Sequence, residues 1–244
     1  MKNNNKIIIF IFIFILLFLI FISISIFLLF NTQKNEEEIL AEKANSQILY
    51  LDNEIIDIAN LANNINLNIK EKDNLNKNTN WEEIELKLNS IYEGWNSIII
   101  DLNSLGIKNT DLTNFGRKID DVMISSKNQD KANMLNNLCD LYYFLVIYTN
   151  SYNSNEELKN NIATKYYLLK AYSALEKENW IIAKENIIKA ENSYYNNINN
   201  IETNNFYRNK TYVSIKELEN IVNSKNIDIY YLKYIIVLNN IKYQ

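Results

Sequence analysis

Residues 81–105, WEEIELKLNSIYEGWNSIIIDLNSL, place apolar side chains at Trp81, Ile84, Leu88, Ile91, Trp95, Ile98, Leu102 and Leu105. The spacing alternates three and four throughout, which puts one continuous seam on an α-helix and gives a strand no consistent face. Asn80, with Glu83 three residues on, provides the side chains of an N-terminal cap, and Gly106 is placed to end the helix. Upstream, Ala44, Ile48, Leu51, Ile55, Ile58, Ala62, Ile65 and Ile69 keep the same heptad rhythm. The polar segment 71–79 between them predicts an antiparallel pair with seams facing inward, as in left-handed bundle packing.

The remaining sequence reads as further helices. Residues 111–126 carry Leu112, Phe115, Ile119 and Val122, and Asp130 can cap a helix with Leu135, Leu138, Tyr142 and Leu145 on one face. Ser154-Asn-Glu-Glu157 has the capping-box pattern ahead of Leu158, Ile162, Leu169, Tyr172 and Leu175. Asn179 opens a helix bearing Trp180, Ala183, Ile187, Ala190 and Tyr194, and two more are predicted over 207–223 and 228–242. The chain has no Pro and only 3 Gly. That composition disfavours β-rich and dinucleotide-binding folds, which need turn and loop glycines.

Two parts of the chain echo one another. The turn Ser126-Lys-Asn-Gln-Asp130 recurs as Ser224-Lys-Asn-Ile-Asp228, and Trp81 and Trp180 precede their respective Asp residues by 49 and 48 positions. Trp81, Leu88, Ile91 and Trp95 thereby align with Trp180, Ile187, Ala190 and Tyr194. This reading makes the fold all-α, with two tandem duplicated four-helix units over 36–152 and 155–244.

The first 30 residues differ. Residues 1–6 are polar and basic, and 7–30 form an apolar run interrupted only by Ser23 and Ser25. As a helix the run extends about 36 Å, enough for a hydrocarbon core of about 30 Å, and it exceeds the apolar core of a cleavable signal peptide. A single-pass signal anchor is expected. Lys2 and Lys6 precede it and Glu36-Glu37-Glu38 follow, so residues 1–6 are expected to be cytoplasmic and the C-terminal domain extracellular.

Composition excludes several functions. Of the 25 basic residues Lys2 and Lys6 precede the run, leaving 23 against 29 acidic ones, a balance that gives no basic stripe for nucleic acid. Without His, no Ser-His-Asp or Cys-His catalytic arrangement can be built. Paired carboxylates such as Glu82 with Glu85 read as solvated helix faces. Cys139 and the three scattered Met form no soft metal cluster, and Glu36–Glu38 fit the start of an outer helix better than a cation site. The expectation is no enzyme, no catalytic residue, no metal and no cofactor.

The abundant Asn, Ile, Lys and Tyr, beside only two Arg, reflect AT-rich codons. Tyrosines nevertheless come in adjacent pairs, at 142–143, 166–167, 194–195 and 230–231. Neighbours on a helix lie about 100° apart, so one can enter the core while the other stays near the surface. Tyr143, Tyr167, Tyr195 and Tyr231 are the candidates for a contact face, since surface Tyr amid Asn suits protein or glycan recognition.

The pattern Trp81…Trp95, Phe115…Ile119…Val122, SKNQD, Trp180…Ala183 and the second SKN-x-D turn resembles uncharacterised secreted or lipid-anchored all-helical proteins of Gram-positive bacteria. The resemblance covers residues 80–244 and implies a fold but no activity. No Cys follows the apolar run, so attachment through a lipidated cysteine is unavailable here. The expected function is a membrane-tethered, extracytoplasmic interaction module with an envelope protein as partner. Its rival is a small-ligand sensor domain acting through a partner protein.

Overall fold

The computed structural model describes the backbone of residues 2–62, 79–152, 155–199 and 206–242, without the side chains of 2–17, 26–35, 199 and 242. Every element among the described residues is an α-helix: α1 Lys2–Leu61, α2 Trp81–Ser104, α3 Asn109–Lys127, α4 Lys131–Ser151, α5 Glu156–Leu175, α6 Trp180–Asn199, α7 Phe206–Asn223 and α8 Ile227–Lys242. The chain divides into two compact units, Met1–Glu42 and Lys43–Gln244.

In the first unit the described apolar side chains of the run 7–30, Phe18, Leu19, Ile20, Phe21, Ile22 and Ile24, are exposed. Among the described residues, no helix is long and apolar enough to cross a membrane. The rest of the apolar run 7–30 lies outside the described side chains, as do seam positions Ile65 and Ile69 and linker positions 71–78.

The second unit is built on the two heptad seams. Ala44, Ile48, Leu51, Ile55, Ile58 and Ala62 on α1, and Ile84, Leu88, Ile91, Trp95, Ile98 and Leu102 on α2, are buried. Trp81 and Leu105, at the seam's ends, are only half-buried, as is Trp180 on α6. Lys43 binds Asp101, Tyr50 meets Ser90, and Lys87 bridges Glu54 and Asp57, so α1 and α2 run antiparallel.

From α2 onward each helix packs on the next, and α8 returns to α5. The 43–61 part of α1 is enclosed more fully than one seam requires: no residue of 51–62 is exposed. Tyr142 of α4 and Lys165 of α5 both reach Asp52, and the Tyr172 hydroxyl donates to the Ala59 carbonyl. The pairs 52/165 and 59/172 share one sequence offset, so α1 and α5 lie parallel.

Helices α2, α4, α5, α6 and α8 start behind short polar side chains, whereas α3 follows Lys108 with no side-chain cap. Asn80 accepts from the Glu83 N–H, the cap expected from the sequence, and its side-chain amide donates to the Glu83 carboxylate. Asp130 and Asn179 cap α4 and α6 as expected. For α5 the capping oxygen belongs to Asn155, 2.7 Å from the Leu158 N–H, one residue later than the Ser154 pattern suggested. Gly106 takes φ +80° at the end of α2, a conformation glycine adopts without steric cost.

The repeated SKN-x-D pentapeptides do not form equivalent turns. In the first, Gln129 is left-handed and Asp130 caps; in the second, Lys225 is left-handed and Asn226 caps. Ser126 is fully buried, whereas Ser224 is exposed. The same left-handed residue followed by an Asx cap also joins α5 to α6, at Glu178-Asn179.

Candidate functional site

Helix α5 decides where a concave surface can form. It lies against α4, α6 and α8, and none of residues 157–175 is exposed. Its outward line (Ala163, Tyr166, Tyr167, Lys170) is half-buried, sunk between the flanking walls of α4 and α6. At one end of this trough a cavity of about 210 Å³ is lined by Asn136, Cys139 and Asp140 from α4, Lys170, Ser173 and Lys177 from α5 and its C-terminal turn, and Ile182 from α6.

Aromatic rings continue the trough. Tyr143 stands 5.3 Å from Tyr166, and Tyr166 stands 5.1 Å from Tyr167, centre to centre. The Lys170 ammonium lies 5.5 Å from the Tyr166 ring centre, and that of Lys189 on α6 lies 6.0 Å from the Tyr167 ring centre, both within cation–π range. Burial pushes the Tyr166 phenol upward, with Cys139, Tyr143, Tyr167 and Asp140 adding to the effect.

The charge is distinctive. Lys43, Lys87, Lys118, Lys131, Lys159, Lys184, Lys216 and Lys233 of this unit each reach a carboxylate. Lys170, Lys177 and Lys189 reach none among the described residues. The one acid in the cavity, Asp140, is held by Lys118 at 3.1 Å. A protein of net charge −4 thus carries a locally cationic trough.

Cys139 forms part of the cavity floor, and burial pushes its thiol up to about 12 despite a hydrogen bond with Ser173. It is therefore protonated at neutral pH and a poor nucleophile. The trough offers ammonium groups, phenols and aromatic faces, which is equipment for binding. Among the described residues, no group of three or more His, Cys, Asp and Glu could hold a metal ion.

The four tyrosines singled out in the sequence do not share one face. Tyr143 (46% exposed) and half-buried Tyr167 belong to the trough. Tyr195 (45% exposed) pairs instead with Tyr212 of α7 at 5.6 Å, and Tyr231 packs edge-on against Tyr172 and donates to Glu176. Within three pairs one ring is fully buried (Tyr142, Tyr194 and Tyr230); in the fourth, Tyr166 and Tyr167 are both half-buried.

A second polar cluster lies inside the unit. Lys165 binds the Asp52 Oδ2 at 2.6 Å and the Tyr142 hydroxyl donates to Oδ1 at 2.6 Å, all three side chains being buried. The hydroxyls of Tyr230 and Tyr234 are buried without a partner among the described residues. No sequence pattern announced this cluster, because Asp52 sits one position beyond the seam residue Leu51.

No protein-family model, curated protein or solved structure matches this chain.

Proposed function

We propose that this chain is a non-enzymatic, membrane-tethered interaction module whose contact surface is the α4–α5–α6 trough. The observation that carries the reading is the convergence of three unpaired lysines with Tyr143, Tyr166 and Tyr167 over a sunken helix. Ammonium groups that reach no carboxylate among the described residues, gathered with aromatic faces on a concave surface, suit an incoming partner. In this reading the run 7–30 is a single-pass signal anchor, residues 1–6 are cytoplasmic, and the helices from α2 onward act outside the cell on another envelope protein. In the same reading residues 36–152 and 155–244 are two tandem duplicated four-helix units, a reading supported by the matched spacing of Trp81, Leu88, Ile91 and Trp95 with Trp180, Ile187, Ala190 and Tyr194.

Chemical cross-linking of the full-length protein in intact cells, followed by mass spectrometry, tests the module. A reproducible envelope partner linked through α4, α5 or α6 is expected; links confined to the chain itself would argue against it. The cavity beside Cys139 favours one alternative, a small-ligand sensor acting through a partner protein. That alternative requires a small molecule that raises the melting temperature of the full-length protein.

A further inference from the structure

We infer that the trough receives an amphipathic helix with acidic flanks, contributed by another protein. This assignment rests on the interaction-module reading and specifies its partner's chemistry. The shape argues for a helix. The floor is one helix and the walls are its two sequence neighbours, so the trough is the position that another helix would fill in bundle packing. The half-buried floor residues Ala163, Tyr166 and Tyr167 present small and aromatic surface to an apolar stripe.

The charge argues for acidic flanks. Lys170 of α5 and Lys177 of the turn that follows it line the same cavity, so carboxylates on successive turns of an incoming helix meet a cation at each end of it. Lys189 carries the positive edge onto α6 above Tyr167. Asp140 is engaged by Lys118, which it shares with Asp121, so three ammonium groups without a bound carboxylate stand against one partly compensated acid. A basic helix meets repulsion at all three.

The test measures fluorescence anisotropy of two labelled 18-residue model helices on the purified full-length protein. Both carry Leu on one stripe, with Glu on the flanks of one and Lys on the flanks of the other. The acidic helix should bind, more weakly as salt rises, and the basic helix should not. Replacing Lys170, Lys177 and Lys189 together by Glu should weaken binding by more than tenfold, at about three- to tenfold per charge. The Gln replacements should show a smaller loss with an unchanged melting temperature, which separates binding from folding. Changing Lys108, Lys127 and Lys210, which lie elsewhere and reach no carboxylate among the described residues, should have no effect.

Equal binding of both helices, equal loss from the control variant, or no binding of the acidic helix would overturn the inference. So would equal capture by vesicles containing phosphatidylglycerol, since the trough would then read anionic lipid. If the acidic helix fails while in-cell cross-links still issue from α4–α6, the module stands and only its partner's chemistry is refuted.

Discussion

At the residue scale, Asp52 carries the most consequence. A carboxylate 1% exposed in a helical core is tolerated because Lys165 and Tyr142 both reach it. A buried pair adds little net stability over apolar residues of similar size, but breaking it strands a charge. Lys165→Met alone should therefore cost about 3–5 kcal/mol in urea unfolding, and Asp52→Leu with Lys165→Met should recover most of that loss. A double variant as unstable as the worse single one would contradict this account. The pair was not legible in the sequence: heptad spacing reports seams, and Asp52 neighbours the seam without belonging to it.

The tyrosines set the response to alkali. Burial raises the phenols of Tyr142, Tyr172 and Tyr234 well above their ordinary value, and that of Tyr230 as well. In the unfolded chain these groups ionise near pH ~10. Their contribution is complete below that pH and declines as pH rises toward the folded values, where only the unfolded state has lost its protons. Stability should hold to pH ~9 and then fall with a slope that approaches about 1.4 kcal/mol per pH unit for each such tyrosine above pH ~10. Denaturant midpoints measured between pH 7 and 11 would show it; a flat profile would mean that these rings are solvated.

At the scale of the element, the seams were legible and the turns less so. Heptad spacing locates α1 and α2 because each seam must be buried, and Asn80, Asp130 and Asn179 mark helix starts through the N–H groups they satisfy. The matching pentapeptides misled because four identical letters out of five in an Asn- and Lys-rich chain do not fix a turn. What fixes it is where the preceding helix stops being buried: α3 is buried through Ser126, whereas α7 ends its burial at Val222.

Pentapeptide alignment would make Ile227 the counterpart of Gln129, but Lys225 holds the left-handed position. Lys225→Gly should stabilise by up to ~1 kcal/mol by removing Cβ strain, while Ile227→Gly, in the first turn of α8, should destabilise by a similar amount. Thermal unfolding of the two variants distinguishes the registers, and the reverse order of stabilities would restore the pentapeptide alignment.

Across the whole molecule, residues 43–244 form one compact unit, and its all-helical class was readable from composition and period alone. The candidate surface was only half readable. Adjacent tyrosines pointed to Tyr143 and Tyr167, but Tyr195 and Tyr231 lie elsewhere because the pairs sit on helices whose outward sides differ. Lys170, Lys177 and Lys189 went unnoticed because only the fold distinguishes an unpaired lysine from the many that are neutralised.

Site-specific photo-cross-linking in intact cells tests the central claim most directly, with the reactive residue placed at Tyr143 in the trough or at Ile100 on the exposed side of α2. An adduct with one envelope protein from Tyr143 and none from Ile100 is the predicted result. Equal yields from the two positions, or no adduct from Tyr143, would contradict the assignment of the α4–α5–α6 trough as the surface through which this protein acts.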